Sequence, residues 1–281
     1  MSFKQLQLNA ASGDPEAQFQ LGRAYDCGDG TKRNPKKAFT WYSKAANQHH
    51  TEALEHLAEF YQNGIGCEED NRKAIQCLKE AAEKGSSSAQ FSLADALLDI
   101  GECSEAIDIL KSKADSGSCE AQFKLGEIFS EGVKIPKSDC DAFKWYEQAA
   151  IRGFGEAYVK VGQCLATGVG VTRNFPEAIS WLLKVATPHS TVSAGDMHFA
   201  QLMLSDVYAS GDFPGRNVVE AYKWLNLAIA YWPTWAADDQ RLTLGERREK
   251  IAFQMSQEDI QRAQAESAKL FIFPEKLKKP G

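Results

Sequence analysis

Glu16–Gly22 reads EAQFQLG, and Glu120–Gly126 reads EAQFKLG. Following the first Ala of this phrase along the chain finds Ala17, Ala53, Ala89, Ala121, Ala157 and Ala200, with spacings of 36, 36, 32, 36 and 43 residues. A second column, Ala38, Ala74, Ala106, Ala142, Ala178 and Ala221, is spaced by 36, 32, 36, 36 and 43. Both columns lengthen and shorten in the same units, so they mark one structural element repeated along the chain.

Each column opens a helical pattern. Ala17, Leu21 and Tyr25 stand at i, i+4 and i+8, one stripe of a 3.6-residue period, and the stripe returns as Ala53/Leu57/Tyr61, Ala121/Leu125/Phe129, Ala157/Val161/Leu165 and Ala200/Leu204/Tyr208. The second helix repeats as Ala38/Trp41/Tyr42/Ala45, Ala142/Trp145/Tyr146/Ala149 and Ala221/Trp224/Leu225/Ala228. A two-helix unit of this kind cannot bury its apolar face alone, so successive units must stack. Four residues before each second-column Ala stand Asn34, Asp70, Glu102, Ser138, Asn174 and Asn217, and all but Glu102 are good N-caps. Asp14-Pro15-Glu16 has the cap, the Pro and the acid of a helix start. Gly28, Gly64, Gly132, Gly168 and Gly211 fall where a chain leaving a helix turns left-handed.

The pattern Ala17-Leu21-Gly22-Tyr25-Gly28-Gly30-Asn34-Ala38-Trp41-Tyr42-Lys44-Ala45-Ala46 resembles the Sel1-like repeat, a relative of the tetratricopeptide repeat, and the likeness runs from about residue 3 to residue 230. It implies an all-α fold: a right-handed α-α superhelix, or solenoid, of helical hairpins with C-terminal capping helices. The third unit departs from the pattern, being four residues short at Ile100-Gly101-Glu102-Cys103-Ser104. Ser2–Ala10 reads as a second helix without its first, with Phe3, Leu6 and Ala10 taking the places of Phe39, Tyr42 and Ala46. Trp232-Pro233 stops the pattern, and Arg241–Phe253 and Ser256–Phe271 read as closing helices. The expected organisation is a repeat array over 1–232, capping helices over 233–273 and a tail over 274–281.

Bulk properties narrow the function. Of 281 residues, 43% are hydrophobic and 25% charged, as in a globular chain, and the net charge of −6 opposes general nucleic-acid binding. No apolar run approaches the ~18 residues that span a bilayer, and the first residues have no signal-peptide core. The chain is therefore expected in the cytoplasm, or in the periplasm or outside the cell if a leader has been removed. The seven Cys are odd in number and form no CxxC, which favours reduced thiols. The two columns at which the resembling family carries a disulfide read Ala46, Ala82, Ala114, Ala150 and Leu54, Gln90, Gln122, Tyr158. P-loop, HExxH, GxSxG and EF-hand patterns are absent, as are the S-x-x-K, S-D-N and K-T-G that lactam chemistry needs. The recurring GxG pairs follow no strand and read as turns. Adjacent His49 and His50 point apart, so neither a metal nor a cofactor is expected.

By analogy with tetratricopeptide arrays, first helices line a concave face, and the residue after the L-G pair looks into the groove. That column reads Arg23, Glu59, Asp95, Glu127, Gln163 and Asp206; four positions earlier, Phe19, Phe91 and Phe123 belong to a mostly apolar column. The expectation is a non-catalytic scaffold that binds a protein or peptide, including one with a basic segment, on Phe19, Arg23, Glu59, Phe91, Asp95, Phe123, Glu127, Gln163 and Asp206. The competing reading of these residues is ordinary: acids on a solvated helix face, and aromatics packed on the partner helix. The resemblance implies bacterial roles in signalling, assembly or host interaction. Two further functions stay open: an immunity or inhibitor protein for one dedicated toxin, and a hydrolase acting on a peptidoglycan-like or lactam ligand. Pro188–Met197 is a second candidate surface or a passive loop, and Lys276, Lys278 and Lys279 are too few for a membrane or nucleic-acid site.

Overall fold

Capping side chains set where most of the helices begin. Asp14, Asn34, Asp70, Ser86, Ser118, Ser138, Asn174 and Asn217 each accept a hydrogen bond from a backbone N–H of the helix that follows. The computed structural model describes residues 2–133, 135–187, 193–231 and 238–270, excepting the side chains of 238–240. The Trp232-Pro233 stop, Phe271, residues 188–192 of the insertion and the lysine tail lie outside the described residues.

The chain divides into two compact units, Met1–Asp115 and Ser116–Gly281. The first holds α1 (Phe3–Ala11), α2 (Pro15–Cys27), α3 (Pro35–Ala46), α4 (Thr51–Asn63), α5 (Asn71–Glu83), α6 (Ser87–Ile100) and α7 (Cys103–Asp115), each packed on the next. The second holds α8 (Cys119–Glu131), α9 (Asp139–Ile151), α10 (Gly155–Thr167), α11 (Phe175–Leu183), α12 (Ala194–Ala209) and α13 (Val218–Ala230), again packed in series. Here α14 (Asp238–Ala252) and α15 (Gln257–Leu270) both lie on α13. The even-numbered helices from α2 to α12 are the first helices of hairpins, and the odd-numbered ones from α3 to α13 the second. Among the described residues there is no strand.

The two alanine columns are the core. Ala53, Ala89, Ala121, Ala157 and Ala200 are wholly buried, as are Ala38, Ala74, Ala106, Ala178 and Ala221. In the first, fourth and fifth hairpins a glycine on the first helix faces a large residue on the second. A Cβ added to Gly22 would meet the Tyr42 ring at 2.6 Å, and one on Gly126 would meet Tyr146 at 2.5 Å. Phe3 of α1 meets Tyr25 edge-on at 5.8 Å, as Phe39 of α3 meets Tyr61 at 5.4 Å.

The GxG turns also have a packing cause. The first Gly ends the first helix in the left-handed region at Gly28, Gly64 and Gly168, with φ of 80, 63 and 79°, and Gly132, which no second Gly follows, does the same at 64°. The second Gly lets the turn rest on the start of the preceding hairpin's second helix: a Cβ on Gly66 would stand 2.5 Å from the Pro35 carbonyl oxygen. Gly211 corrects the expectation for the last hairpin. Helix α12 ends at Ser210 in extended backbone, and Phe213 from the rebuilt turn packs on Phe175 at 5.2 Å.

Candidate functional site

In the first unit, Arg23, Glu59 and Asp95 stand on α2, α4 and α6 and are exposed. Glu59 lies 4.0 Å from His56 Nδ1, one turn back on its own helix. Phe19, by contrast, is buried. Its ring stacks on His50 at 4.8 Å and tilts against Tyr42 at 5.8 Å, so it joins the first hairpin to the second. Phe91 is half-buried, with Lys113 Nζ 4.7 Å from its ring centre.

In the second unit, Glu127 and Gln163 are half-buried on α8 and α10. Burial pushes the Glu127 carboxyl above its ordinary range, Glu131 and Glu156 add to this, and Lys160 and Lys124 oppose it. Phe123 packs on Tyr146 and Phe154, with ring centres 5.4 and 5.1 Å away. Asp206 is exposed on α12 but already holds a partner: Arg247 from α14 donates to its carboxylate. Beside this pair, Arg248 Nη1 donates to Asn226 Oδ1 at 3.1 Å. The acidic column is therefore on the first-helix face in both units, while most of the apolar column serves the core.

The other polar candidates have structural tasks. His50 Nδ1 accepts from Ala53 N at 3.3 Å and caps α4, while its Nε2 lies 3.0 Å from Glu16. That contact, with a hydrogen bond from Gln20, holds the Glu16 carboxyl below its usual range against the effect of burial. His49 turns the other way, to Glu80. All seven cysteines are free thiols; burial raises Cys77 and Cys164 to about 11, which makes them poor nucleophiles at neutral pH. Among the described residues, no group of three or more His, Cys, Asp or Glu gathers as a metal site would. None of the described helices is long and apolar enough to cross a membrane.

One recess escaped the sequence reading. It lies between α5, α6 and α7, has a volume of about 480 Å³, and is floored by Ala82, Leu93 and Ile109 under a charged rim. Its signal was in the aromatic column of the second helices, which reads Trp41, Cys77, Ile109, Trp145, Trp181 and Trp224. Where Ile109 stands in the third hairpin, most others carry an indole.

Comparison with known proteins fits this architecture. The Sel1 repeat model matches residues 15–50, 51–86, 119–154, 155–187 and 198–230, leaving out the third hairpin. The crystal structure of a Sel1 repeat protein from Oxalobacter formigenes is 27% identical, with a TM-score of 0.54 over 78% of this chain and 88% of that one. Two Saccharomyces cerevisiae proteins are similar over shorter stretches. Protein SHC1 is 36% identical over 84 residues, 30% of this chain, and the chitin synthase regulator SKT5 is 32% identical over 81 residues, 29% of this chain. The matched stretches span only 16% and 12% of those curated relatives' own length. Repeats of this kind are generally protein-interaction scaffolds rather than enzymes. With its five matched repeats and its stacked helical hairpins, the chain belongs to the Sel1 repeat family.

Proposed function

We propose that this chain is a non-catalytic scaffold or adaptor that holds a protein or peptide partner on the first-helix faces of its hairpins. Basic side chains of the partner meet Glu59 and Asp95 in the first unit, and Glu127 offers the same chemistry in the second. The same reading takes residues 1–232 as the binding array and 233–273 as its cap.

The observation that carries this reading is Arg247 on Asp206. Asp206 belongs to the same column as Glu59 and Asp95, and a guanidinium offered by a neighbouring helix seats on it. A partner helix or extended segment carrying Arg or Lys has the matching chemistry. The name of one relative, a chitin synthase regulator, points the same way, towards binding that controls another protein. Phe19 contributes as scaffold rather than as a contact, because its ring is already packed.

Charge reversal tests the proposal. Glu59→Lys, Asp95→Lys and Glu127→Lys together should abolish capture of the partner that the unaltered chain purifies, and added salt should weaken that capture beforehand. Capture unchanged by the triple variant would remove the acidic column from the binding face.

A further inference from the structure

The third hairpin is the odd member of the array, and its departures converge on one place. Its inter-helix turn is four residues short, the family model passes over it, and its second helix changes two column positions at once. Ile109 replaces the column Trp. Lys113 replaces a residue that is Ala45, Ala81, Ala149, Val185 or Ala228 elsewhere, each wholly buried.

The fifth hairpin shows what normally fills this position. Trp181 stacks on Tyr158 with ring centres 5.5 Å apart and packs against the cluster of Ala149, Ala150 and Ala157. Lys184 Nζ sits 3.5 Å above the Trp181 ring, as Lys44 Nζ sits 3.9 Å above Trp41. In the third hairpin the residues corresponding to Ala150, Tyr158 and Trp181 are Ala82, Gln90 and Ile109, and all three line the recess. The recess opens at the place where the sister hairpin carries an indole and this hairpin carries a smaller side chain. Its volume of about 480 Å³ is that of a ligand-binding cleft, for which about 300–1,000 Å³ is usual.

The rim sets the charge of the occupant. Lys79 is engaged with Glu105 at 2.8 Å. Lys113 Nζ donates to Ser87 Oγ and Gln90 Oε1, both at 2.8 Å. Glu83 and Asp108 are exposed and make no ion pair among the described residues. We infer that this recess is a docking slot for a tryptophan side chain of a partner protein, carried on a segment with basic residues beside it. The ring lies on Ala82, Leu93 and Ile109, the flanking cations meet Glu83 and Asp108, and Lys113, held by Ser87 and Gln90, lines the slot. The inference rests on the reading of the chain as a protein-binding module but uses a different face of the hairpins.

The test uses the full chain, isotope-labelled for NMR, and three blocked tripeptides: Lys-Trp-Lys, Lys-Leu-Lys and Glu-Trp-Glu. Lys-Trp-Lys should shift the resonances of Ala82, Leu93, Ile109 and Lys113 and bind about tenfold more tightly than either control. Ile109→Trp should fill the slot from within and weaken that binding about tenfold. Glu83→Lys with Asp108→Lys, both on the exposed rim, should weaken it by a similar factor whether or not Ile109→Trp folds. Equal binding of Lys-Leu-Lys, or affinity untouched by the rim variants, overturns the slot. Because Glu59→Lys with Asp95→Lys leaves the recess intact, tripeptide binding should survive that change. Loss of the slot therefore leaves the first-helix proposal standing, and the converse holds.

Discussion

The first and third hairpins of the same unit use identical alanine columns and end in different structures. In α2–α3, Gly22 makes room for Tyr42, Trp41 holds Lys44 over its ring, and a long Gly28–Gly30 turn rests near Phe3. In α6–α7, Ala94 and the smaller Leu110 take the places of Gly22 and Tyr42, Ile109 stands in the Trp column, and the turn shrinks to Gly101-Glu102. Fold here depends on the alanines, which both hairpins bury completely or nearly so. The surrounding large residues and turns are free to vary, and where they vary together a recess opens. Drift in such columns is a better pointer to a binding feature than conformity, because conforming positions are explained by packing alone.

The turns give the sharpest contrast. Gly66 and Gly101 both sit in the left-handed region, at φ of 71 and 87°. An added Cβ on Gly66 meets the Pro35 carbonyl at 2.5 Å, whereas around Gly101 there is nothing within 4 Å. Gly101→Ala should therefore cost only the conformational penalty, about 1 kcal/mol. Gly66→Ala adds a clash with backbone that cannot move aside, for about 3 kcal/mol in total. Urea unfolding of the two variants decides it: equal losses would mean that docking of the turn on the preceding helix contributes nothing.

The tyrosines break the symmetry of hairpins that do conform. Tyr146 Oη shares a hydrogen bond with Ser130 Oγ at 3.1 Å, while the buried Tyr42 hydroxyl has no partner among the described residues. At the position of Ser130 the first hairpin has Asp26, whose carboxylate lies 3.8 Å from Arg33. Burial raises both phenols, Tyr146 to about 12, so neither ionises under ordinary conditions. Tyr146→Phe should cost about 1 kcal/mol, and Tyr42→Phe should be neutral or slightly stabilising. Thermal melts that show equal losses would mean that Tyr42 finds a partner in solution, such as a buried water.

The repeat, its period, the helix types and most caps were legible in the sequence because each depends on residues close together in the chain. Column membership also predicted which side chains are buried. What escaped was which exposed columns are occupied. Asp206 reads like Glu59, yet its guanidinium comes from Arg247, 41 residues away on a helix outside the repeat pattern. The aromatic column offered Phe19 as a foothold, and only three-dimensional packing against His50 and Tyr42 removed it. Gln18 shows the same limit. It stands in the column where the family carries a half-cystine, and its amide donates to the Ala10 carbonyl at 3.2 Å, joining the two positions the family's disulfide would bridge.

Junctions between hairpins extend the comparison to pH. Glu16 meets the second hairpin through His50, whereas Glu55 meets the third through the hydroxyls of Ser86 and Ser88, each at 2.6 Å. The Glu16 carboxyl is held below its usual range, chiefly by the His50 contact, so it binds protons less readily folded than unfolded. Its contribution is complete above the ordinary carboxylate range and is lost as pH falls through the lowered value. Because Glu16 is largely exposed, Glu16→Gln should remove only about 0.5 kcal/mol at neutral pH and make the acid limb of the stability profile shallower. An unchanged acid limb would assign that junction's stability to Phe19 and His50 stacking alone.

The smallest effect expected concerns His49, the one non-glycine residue with positive φ among those described, at 62°. The matching turns of other hairpins carry Gly13, Gly85, Gly117 and Gly153, at φ of 101, 90, 99 and 95°. A side chain in this region costs about 1 kcal/mol or slightly more, and the exposed contact with Glu80 returns well under that amount. His49→Gly should therefore stabilise the chain by about 0.5 kcal/mol, a melting shift of a degree or two. Pairing it with Glu80→Gln separates the two contributions: if His49→Gly stabilises equally with and without Glu80, backbone strain is the whole effect. If instead His49→Gly destabilises only while Glu80 is present, the contact outweighs the strain, and the second hairpin is held to the first by a side chain where its sisters rely on glycine.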